Sequence, residues 1–311
     1  MNRIPLVIDC DPGTDDALAI LMICAAKNLE VKALTTVAGN LNIAKTTGNA
    51  LKISDFFRLD LEIAAGAYPL MKKFEPCDVS IQGEGGLGDA VLPETSLNPS
   101  SISAVDLLYQ KAMEPGEKLH ILATGPLSNI ALLLCTYPDV RERIACITLM
   151  GGAISGGNAT PCSEFNIYTD PDAAKIVFQS GVPITMIGLD VSYKTPIYEK
   201  ELEKFVQIPG RASEFTGRLM GYPPPPEKSI PAEGIVMFDA LAAAAVINPS
   251  VMEYRHCYVD VETRGEFTTG KTVVDINGLL KKSPNTQVAV GCDRMKFLQM
   301  LEDTLRYYRE D

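Results

Sequence analysis

The sequence predicts an α/β fold: a single-domain, Rossmann-like open sheet, mostly parallel, with helices on both faces. Three observations predict it. Short apolar runs rich in Val, Ile and Leu recur along the chain, continuous rather than alternating, as in strands covered on both faces. Longer segments with readable helix caps separate them. No linker-like run and no internal repeat divides the 311 residues, so one domain spanning residues 1–311 is expected.

Taken in order, "IPLVID" (4–9) is the first strand, and the first helix opens after "DPGT" with Asp15 and Asp16 in its first turn, where the helix dipole favours negative charge. "VKALTTVAG" (31–39) is the next strand. "SISAVDLLYQKAMEPG" is a helix with a serine start and a Pro-Gly stop, and "LHILATG" (119–125) and "IACITLMGG" (144–152) are further strands. "TDPDAAKIVFQSG" offers Asp170 as N-cap, Pro171 at the first helical position and Gly181 just past the end. "VPITMIGLDV" (182–191) follows as a strand. The four successive prolines of "GYPPPPEKSIPAEG" (221–234) exclude helix and central strand. They predict a stiff surface loop, either a plain connector or a wall over a site.

Composition narrows the function. With 46% hydrophobic and 22% charged residues the chain is an ordinary globular one with a sizeable core. A net charge of −11 argues against a nucleic-acid partner. The eight cysteines are scattered without a CxxC pair, which argues against a disulfide scaffold and a zinc site. "ALAILMICAA" (17–26) is too short to span a bilayer, and no basic region followed by an apolar stretch opens the chain. A cytoplasmic protein without a membrane partner is expected.

"DCDPGTDD" places Asp9, Asp11, Asp15 and Asp16 where the first strand ends, and open α/β sheets bind ligands beyond their strand ends. Asp9 and Asp11 share one side of an extended segment; Pro12 keeps Asp11 extended and Gly13 lets the chain turn sharply. Capping explains two acids at a helix start. Four converging carboxylates repel one another unless a cation or raised pKa values offset the repulsion. Hard oxygen ligands without His or Cys select Mg²⁺ or Ca²⁺. Two chemistries use such a site: aspartyl phosphoryl transfer, as in haloacid-dehalogenase-type phosphatases, and hydrolysis by a carboxylate-activated water. The first wants Thr or Val two residues after the second Asp, and Thr14 sits one residue too late. A second polar group, Asn158, Glu164 and Asn166, follows the glycine-rich "LMGGAISGGN" with no basic residue before Lys175. It suits sugar hydroxyls better than phosphate, although Asn and Gly populate turns anyway.

"DCDPGTDD", "TTVAGN", "ATGPLSN", "LMGGA", "GNATPCSEFNIYTDPDAA" and "TVVD" stand in the order seen in inosine–uridine-preferring nucleoside hydrolases, which the chain resembles over its whole length. The resemblance implies Ca²⁺-dependent hydrolysis of a ribonucleoside to ribose and free base, with a small-molecule riboside as partner and a homodimer or homotetramer as assembly. It implies Asp11, Asp16, the carbonyl of Thr124 and Asp239 as metal ligands, and Asp11 as the general base. Asp15, Asn40, Met150, Asn158, Glu164, Asn166 and Asp239 match the ribose contacts, and Asp9 a supporting position. Asp239 by itself reads equally well as a helix N-cap. Inversion at C1′ is expected from water attack opposite the base.

The base half departs from the family pattern. Gln82, in "IQGEGGLG", and Phe238, in "MFDAL", stand where many members carry histidines, and the chain has no tryptophan to sandwich a purine. His120 and His256 lie in strand-like segments away from the motifs and read as structural. Phe238 and Tyr222 are candidates for stacking on the base, with Glu84 or solvent as the proton source. A leaving group that needs no acid, or riboside binding without turnover, are the alternatives.

Overall fold

Strand β1 (Ile4–Cys10) shows why its apolar run is unbroken: Leu6, Ile8 and Cys10 enter one apolar cluster and Val7 the other, so the strand is covered on both faces. The computed structural model describes residues 3–69, 82–221 and 234–309. Its remaining strands are β2 (Leu29–Thr36), β3 (Ile63–Ala65), β4 (Leu119–Ala123), β5 (Ile144–Met150), β6 (Ile184–Ile187), β7 (Met252–Val261), β8 (Thr272–Asp275) and β9 (Thr286–Cys292). They form one sheet in the order β3-β2-β1-β4-β5-β6-β9-β7-β8. All pairs are parallel except those of β7, which runs antiparallel to β9 and to β8. The order reverses direction between β1 and β4, the point at whose carboxyl strand ends open α/β sheets bind their ligands.

The helices are α1 (Thr14–Ala25), α2 (Ile43–Phe56), α3 (Ala104–Met113), α4 (Ser128–Thr136), α5 (Phe165–Thr169), α6 (Pro171–Phe178), α7 (Leu189–Ser192), α8 (Glu199–Val206), α9 (Arg211–Met220), α10 (Phe238–Ile247) and α11 (Arg294–Tyr307). Helices α1, α9, α10 and α11 cover one face of the sheet, and α3, α4 and α6 the other. The α10 run Ala242–Ala245 is fully buried: alanine combines high helix propensity with the small girth that lets α1 and α10 pack closely. Asp170 caps α6 and Pro171 occupies its first position, as expected. Gly181 follows the helix with φ of 81°, a left-handed conformation that glycine adopts without strain.

Two local expectations are corrected. Strand β2 stops at Thr36, where Val37 still donates to the Cys10 carbonyl before the chain turns into the site. The run 182–191 is not all strand: β6 ends at Ile187 and α7 starts after Gly188, where a side chain would lie 2.7 Å from the Gly152 carbonyl oxygen. The chain does turn at Gly13 from strand to helix, in an extended conformation with φ of −107°. Glycine is needed there for space, since a Cβ would meet Asn40 Nδ2 at 2.8 Å and Gln82 Oε1 at 2.9 Å. The four-proline segment lies outside the described residues. Among those described, no helix is long and apolar enough to cross a membrane, and the seven cysteines are free.

Candidate active site

Five carboxylates meet at the switch point between β1 and β4. Asp9 is the penultimate residue of β1, Asp11 follows the strand, Asp15 and Asp16 occupy the first turn of α1, and Asp239 that of α10. All five are buried, and among the described residues no ion pair reaches any of them. Two helix N-termini aimed at the cluster offset part of its repulsion. Burial nonetheless pushes each acid upward: Asp9 to about 7 and Asp15 to about 6, with Asp11, Asp16 and Asp239 also raised. The neighbouring carboxylates add to the burial effect at Asp11, Asp15 and Asp239.

Hydrogen bonds assign each acid a different task. Asp9 is anchored by one oxygen: Thr35 Oγ1 donates to its Oδ1 at 2.6 Å and Asn129 Nδ2 at 2.8 Å, while its Oδ2 is buried without a partner. Asn129 also donates to the Thr36 carbonyl and accepts from Ala67 N–H, so it links β1, β2 and the segment after β3. Asp16 is the most fully bonded, accepting from Gly13 N–H at 3.0 Å, Thr124 Oγ1 at 2.7 Å and Asn40 Nδ2 at 3.3 Å. Asp15 accepts a long bond from the Asp239 N–H, 3.5 Å, and its carboxyl also pairs with that of Asp239.

Asp11 is held in a slot made by two glycines. Its Oδ2 accepts from Asn40 N–H at 2.6 Å, and its Oδ1 is buried without a partner. A Cβ at Gly39 would fall 2.1 Å from Oδ2, and one at Gly125 2.6 Å from Oδ1. An orphaned buried carboxylate oxygen costs free energy and marks a place for a ligand.

The metal expectation fits this donor set. Asp15, Asp16 and Asp239 bring carboxylate oxygens within 4.8 Å of one another and could hold a metal ion. Asp11 is outside that trio but supplies the orphaned oxygen, and the Thr124 carbonyl, the remaining predicted ligand, accepts one bond, from Asn166 Nδ2 at 2.7 Å. Buried acids, a carbonyl and no cationic partner suit a hard divalent cation.

Among the expected ribose contacts, Asn166 spends its amide hydrogens on the Thr124 and Met150 carbonyls, which leaves its Oδ1 available to accept. Met150 is buried beside it, its Sδ 3.5 Å from Asn166 Nδ2. Glu164 caps α5; its carboxylate accepts from the backbone N–H groups of Gly152, Asn166 and Ile167 at 2.9–3.1 Å and burial lifts it to about 7. Asn158 is exposed, its Oδ1 accepting from Phe165 N–H at 2.9 Å, so it braces the start of α5.

The expected base-side residues divide. Gln82 is buried and occupied: its Oε1 accepts from Thr14 N–H and Thr14 Oγ1, both at 2.9 Å, and its Nε2 donates to Asn40 Oδ1 at 3.4 Å. It thereby orients Asn40, whose Nδ2 faces the carbonyl of Asp11 and the carboxylate of Asp16. Glu84 is exposed, and its backbone carbonyl accepts from Lys45. Phe238 is half-buried, with its ring edge-on to Tyr193. Tyr222 lies outside the described residues. His120 in β4 and His256 in β7 bond to none of the site residues.

Reading the sequence missed Gly39, Gly125, Asn129 and Tyr193. The first three stand inside the motifs "TTVAGN" and "ATGPLSN". Their work is to make room for or to hold an aspartate that lies far away in the chain, which no local pattern reveals.

The inosine-uridine preferring nucleoside hydrolase family model matches residues 6–299. The chain is 41% identical over 309 residues to the pyrimidine-specific ribonucleoside hydrolase RihA of Salmonella typhimurium, covering 98% of this chain and 99% of that one. Among solved structures, a purine-preferring ribonucleoside hydrolase from Gardnerella vaginalis superimposes with a TM-score of 0.92 at 31% identity, covering 99% and 100% of the two chains. An inosine-guanosine nucleoside hydrolase gives 0.90 at 28% identity, covering 98% and 99%.

Proposed function

The chain belongs to the inosine-uridine preferring nucleoside hydrolase family, and from that membership we propose Ca²⁺-dependent cleavage of a ribonucleoside N-glycosidic bond, with Asp11 as general base and inversion at C1′. Nucleoside hydrolysis to ribose and base is the family's activity. The observation that carries the finer reading is the buried carboxylate cluster with its unpartnered Asp11 Oδ1.

Asp11, Asp16, Asp239 and the Thr124 carbonyl would hold the cation. When bound, Ca²⁺ would neutralise the cluster and lower the pKa of a water beside it. Asp11 Oδ2 is pinned by Asn40, so Oδ1 is the oxygen that takes the water proton as the water oxygen bonds to C1′. The electron pair of the C1′–N bond leaves with the base, which then needs a proton or a hydrogen bond. Asp15, Asn40 and Asn166 orient the ribose hydroxyls, with Met150 packed beneath. Glu164, immobilised by three backbone donors, faces the developing positive charge of the ribosyl cation without reorganising. Asn158 and Gln82 act through the residues they brace.

The 41% identical relative is named as pyrimidine-specific, which supports a pyrimidine ribonucleoside as substrate. A cytoplasmic homodimer or homotetramer of single-domain subunits, serving nucleoside catabolism and salvage, completes the reading; the family likeness supports it.

The test is ribose release from p-nitrophenyl riboside and a nucleoside panel, with Ca²⁺ and with chelator. Nitrophenolate leaves without an acid, so this substrate reports on water and ribose alone. Ca²⁺-dependent cleavage is expected. Riboside binding without cleavage of any substrate would overturn the hydrolase reading and leave a binding protein.

A further inference from the structure

Helix α7 starts directly after β6 and is tied to the site by its backbone. Leu189 N–H donates to the Gly152 carbonyl at 3.0 Å, while Gly152 N–H donates to Glu164 at 2.9 Å. Asp190 accepts from Ile154 N–H at 2.6 Å and Ser155 N–H at 3.2 Å, which fixes the glycine-rich loop to the same helix. Tyr193 ends this helix, its N–H bonded to the Leu189 carbonyl at 3.0 Å. Its ring meets that of Phe238 edge-on, with centroids 5.8 Å apart and planes at 76°. Phe238 precedes Asp239 on α10, so the aromatic pair joins the metal-holding side of the site to the ribose-holding side.

Both rings are half-buried at the rim of the core, and the Tyr193 hydroxyl bonds to none of the described residues. Burial, then the charges of Glu164 and Asp190, push its phenol up, so it stays a neutral O–H donor at neutral pH. The other base-side groups are spent or ill-suited. Phe238 has no proton to give, the Gln82 amide is turned to Thr14 through Oε1 and to Asn40 through Nε2, and Glu84 is exposed.

We infer that Tyr193 and Phe238 form the corner that receives the leaving group, with the Tyr193 hydroxyl donating a hydrogen bond to an oxygen or nitrogen of a planar heteroaromatic base. This rests on the hydrolase reading above. As the C1′–N bond breaks, its electron pair enters the base ring, and the phenol hydrogen bond stabilises that charge until solvent protonates the base. Phe238 contributes the apolar edge against which the ring packs.

The experiment compares wild type with Tyr193→Phe and Phe238→Leu on uridine and on p-nitrophenyl riboside, all with Ca²⁺. Tyr193→Phe keeps the ring and its packing and removes one hydroxyl. The expected result is a fall in kcat on uridine of about 100-fold, the size seen when one donor to a developing anion is removed, with nitrophenyl cleavage unchanged within about threefold. Phe238→Leu should raise KM for uridine about tenfold. An equal loss on both substrates, or no loss on uridine, would overturn the role of Tyr193, since a merely structural residue does not discriminate between leaving groups. An unchanged KM in Phe238→Leu would remove the corner. If wild type with Ca²⁺ cleaves neither substrate, the hydrolase reading falls and takes this assignment with it.

Discussion

Gly39→Ala places one methyl group where the structure leaves no room. The new Cβ would lie 2.1 Å from Asp11 Oδ2, 2.7 Å from Pro126 Cδ and 2.9 Å from Asp11 Cγ. Carbon–oxygen contacts settle near about 3.3 Å, so the carboxylate must retreat by roughly 1 Å, and its 2.6 Å bond from Asn40 N–H breaks. The lost charge-assisted bond costs about 1.5–3 kcal/mol. Overpacking adds about 1–3 kcal/mol. A catalytic group misplaced by about 1 Å costs around 100-fold in rate. The assay is kcat/KM on p-nitrophenyl riboside with Ca²⁺, beside a melting curve. A drop of at least about 100-fold, together with a lower Tm, is expected. Gly48→Ala is the matched control. Gly48 lies inside α2, and an added Cβ there meets nothing within 4 Å, so this variant should gain about 0.5–1 kcal/mol and keep full activity. A Gly39→Ala enzyme with wild-type activity would refute the reasoning, because Asp11 could then not be both held in that slot and needed as the base.

The remaining predictions concern charge and the frame around it. Asp11→Asn should lower kcat on every substrate by more than about 1,000-fold while the fold survives; a residual rate within tenfold of wild type would rule out Asp11 as the base. In chelator, stability should fall as pH rises from about 4 to about 7, because acids raised by burial bind more protons folded than unfolded in that window. For Asp9 the rise from 3.8 to about 7 corresponds to about 4 kcal/mol, fully present below pH 4 and lost above pH 7. Ca²⁺ should therefore raise Tm more at pH 8 than at pH 5, and calorimetry showing the reverse order would contradict a cation-filled carboxylate cluster. Asn129→Leu strips partners from Asp9, the Thr36 carbonyl and Ala67 N–H and should destabilise by about 3 kcal/mol or more in denaturant titration.

What the sequence determined by itself is local. The continuous apolar strands, the caps of α6, the acids in the first turn of α1 and the order of the motifs follow from periodicity, backbone preference and residue type, all of which act between near neighbours in the chain. The parallel α/β class was legible for that reason, whereas the expected metal ligands and ribose contacts came from the resemblance that the ordered motifs carry. Only the tertiary structure decided which long-range pairs meet. Asp239 read equally well as an N-cap until α10 packed against α1 and brought it within metal-sharing distance of Asp15 and Asp16. Gly39 and Gly125 carry no signal that they flank Asp11, since the space they leave is defined by chain crossings at β2 and β4. Phe238 was expected as a stacking candidate, and the fold sets it against Tyr193, 45 positions earlier, because α7 and α10 converge on the same strand ends. Burial and contact are properties of the packed sheet. A one-dimensional pattern states which residues are available for them, and packing chooses among those residues.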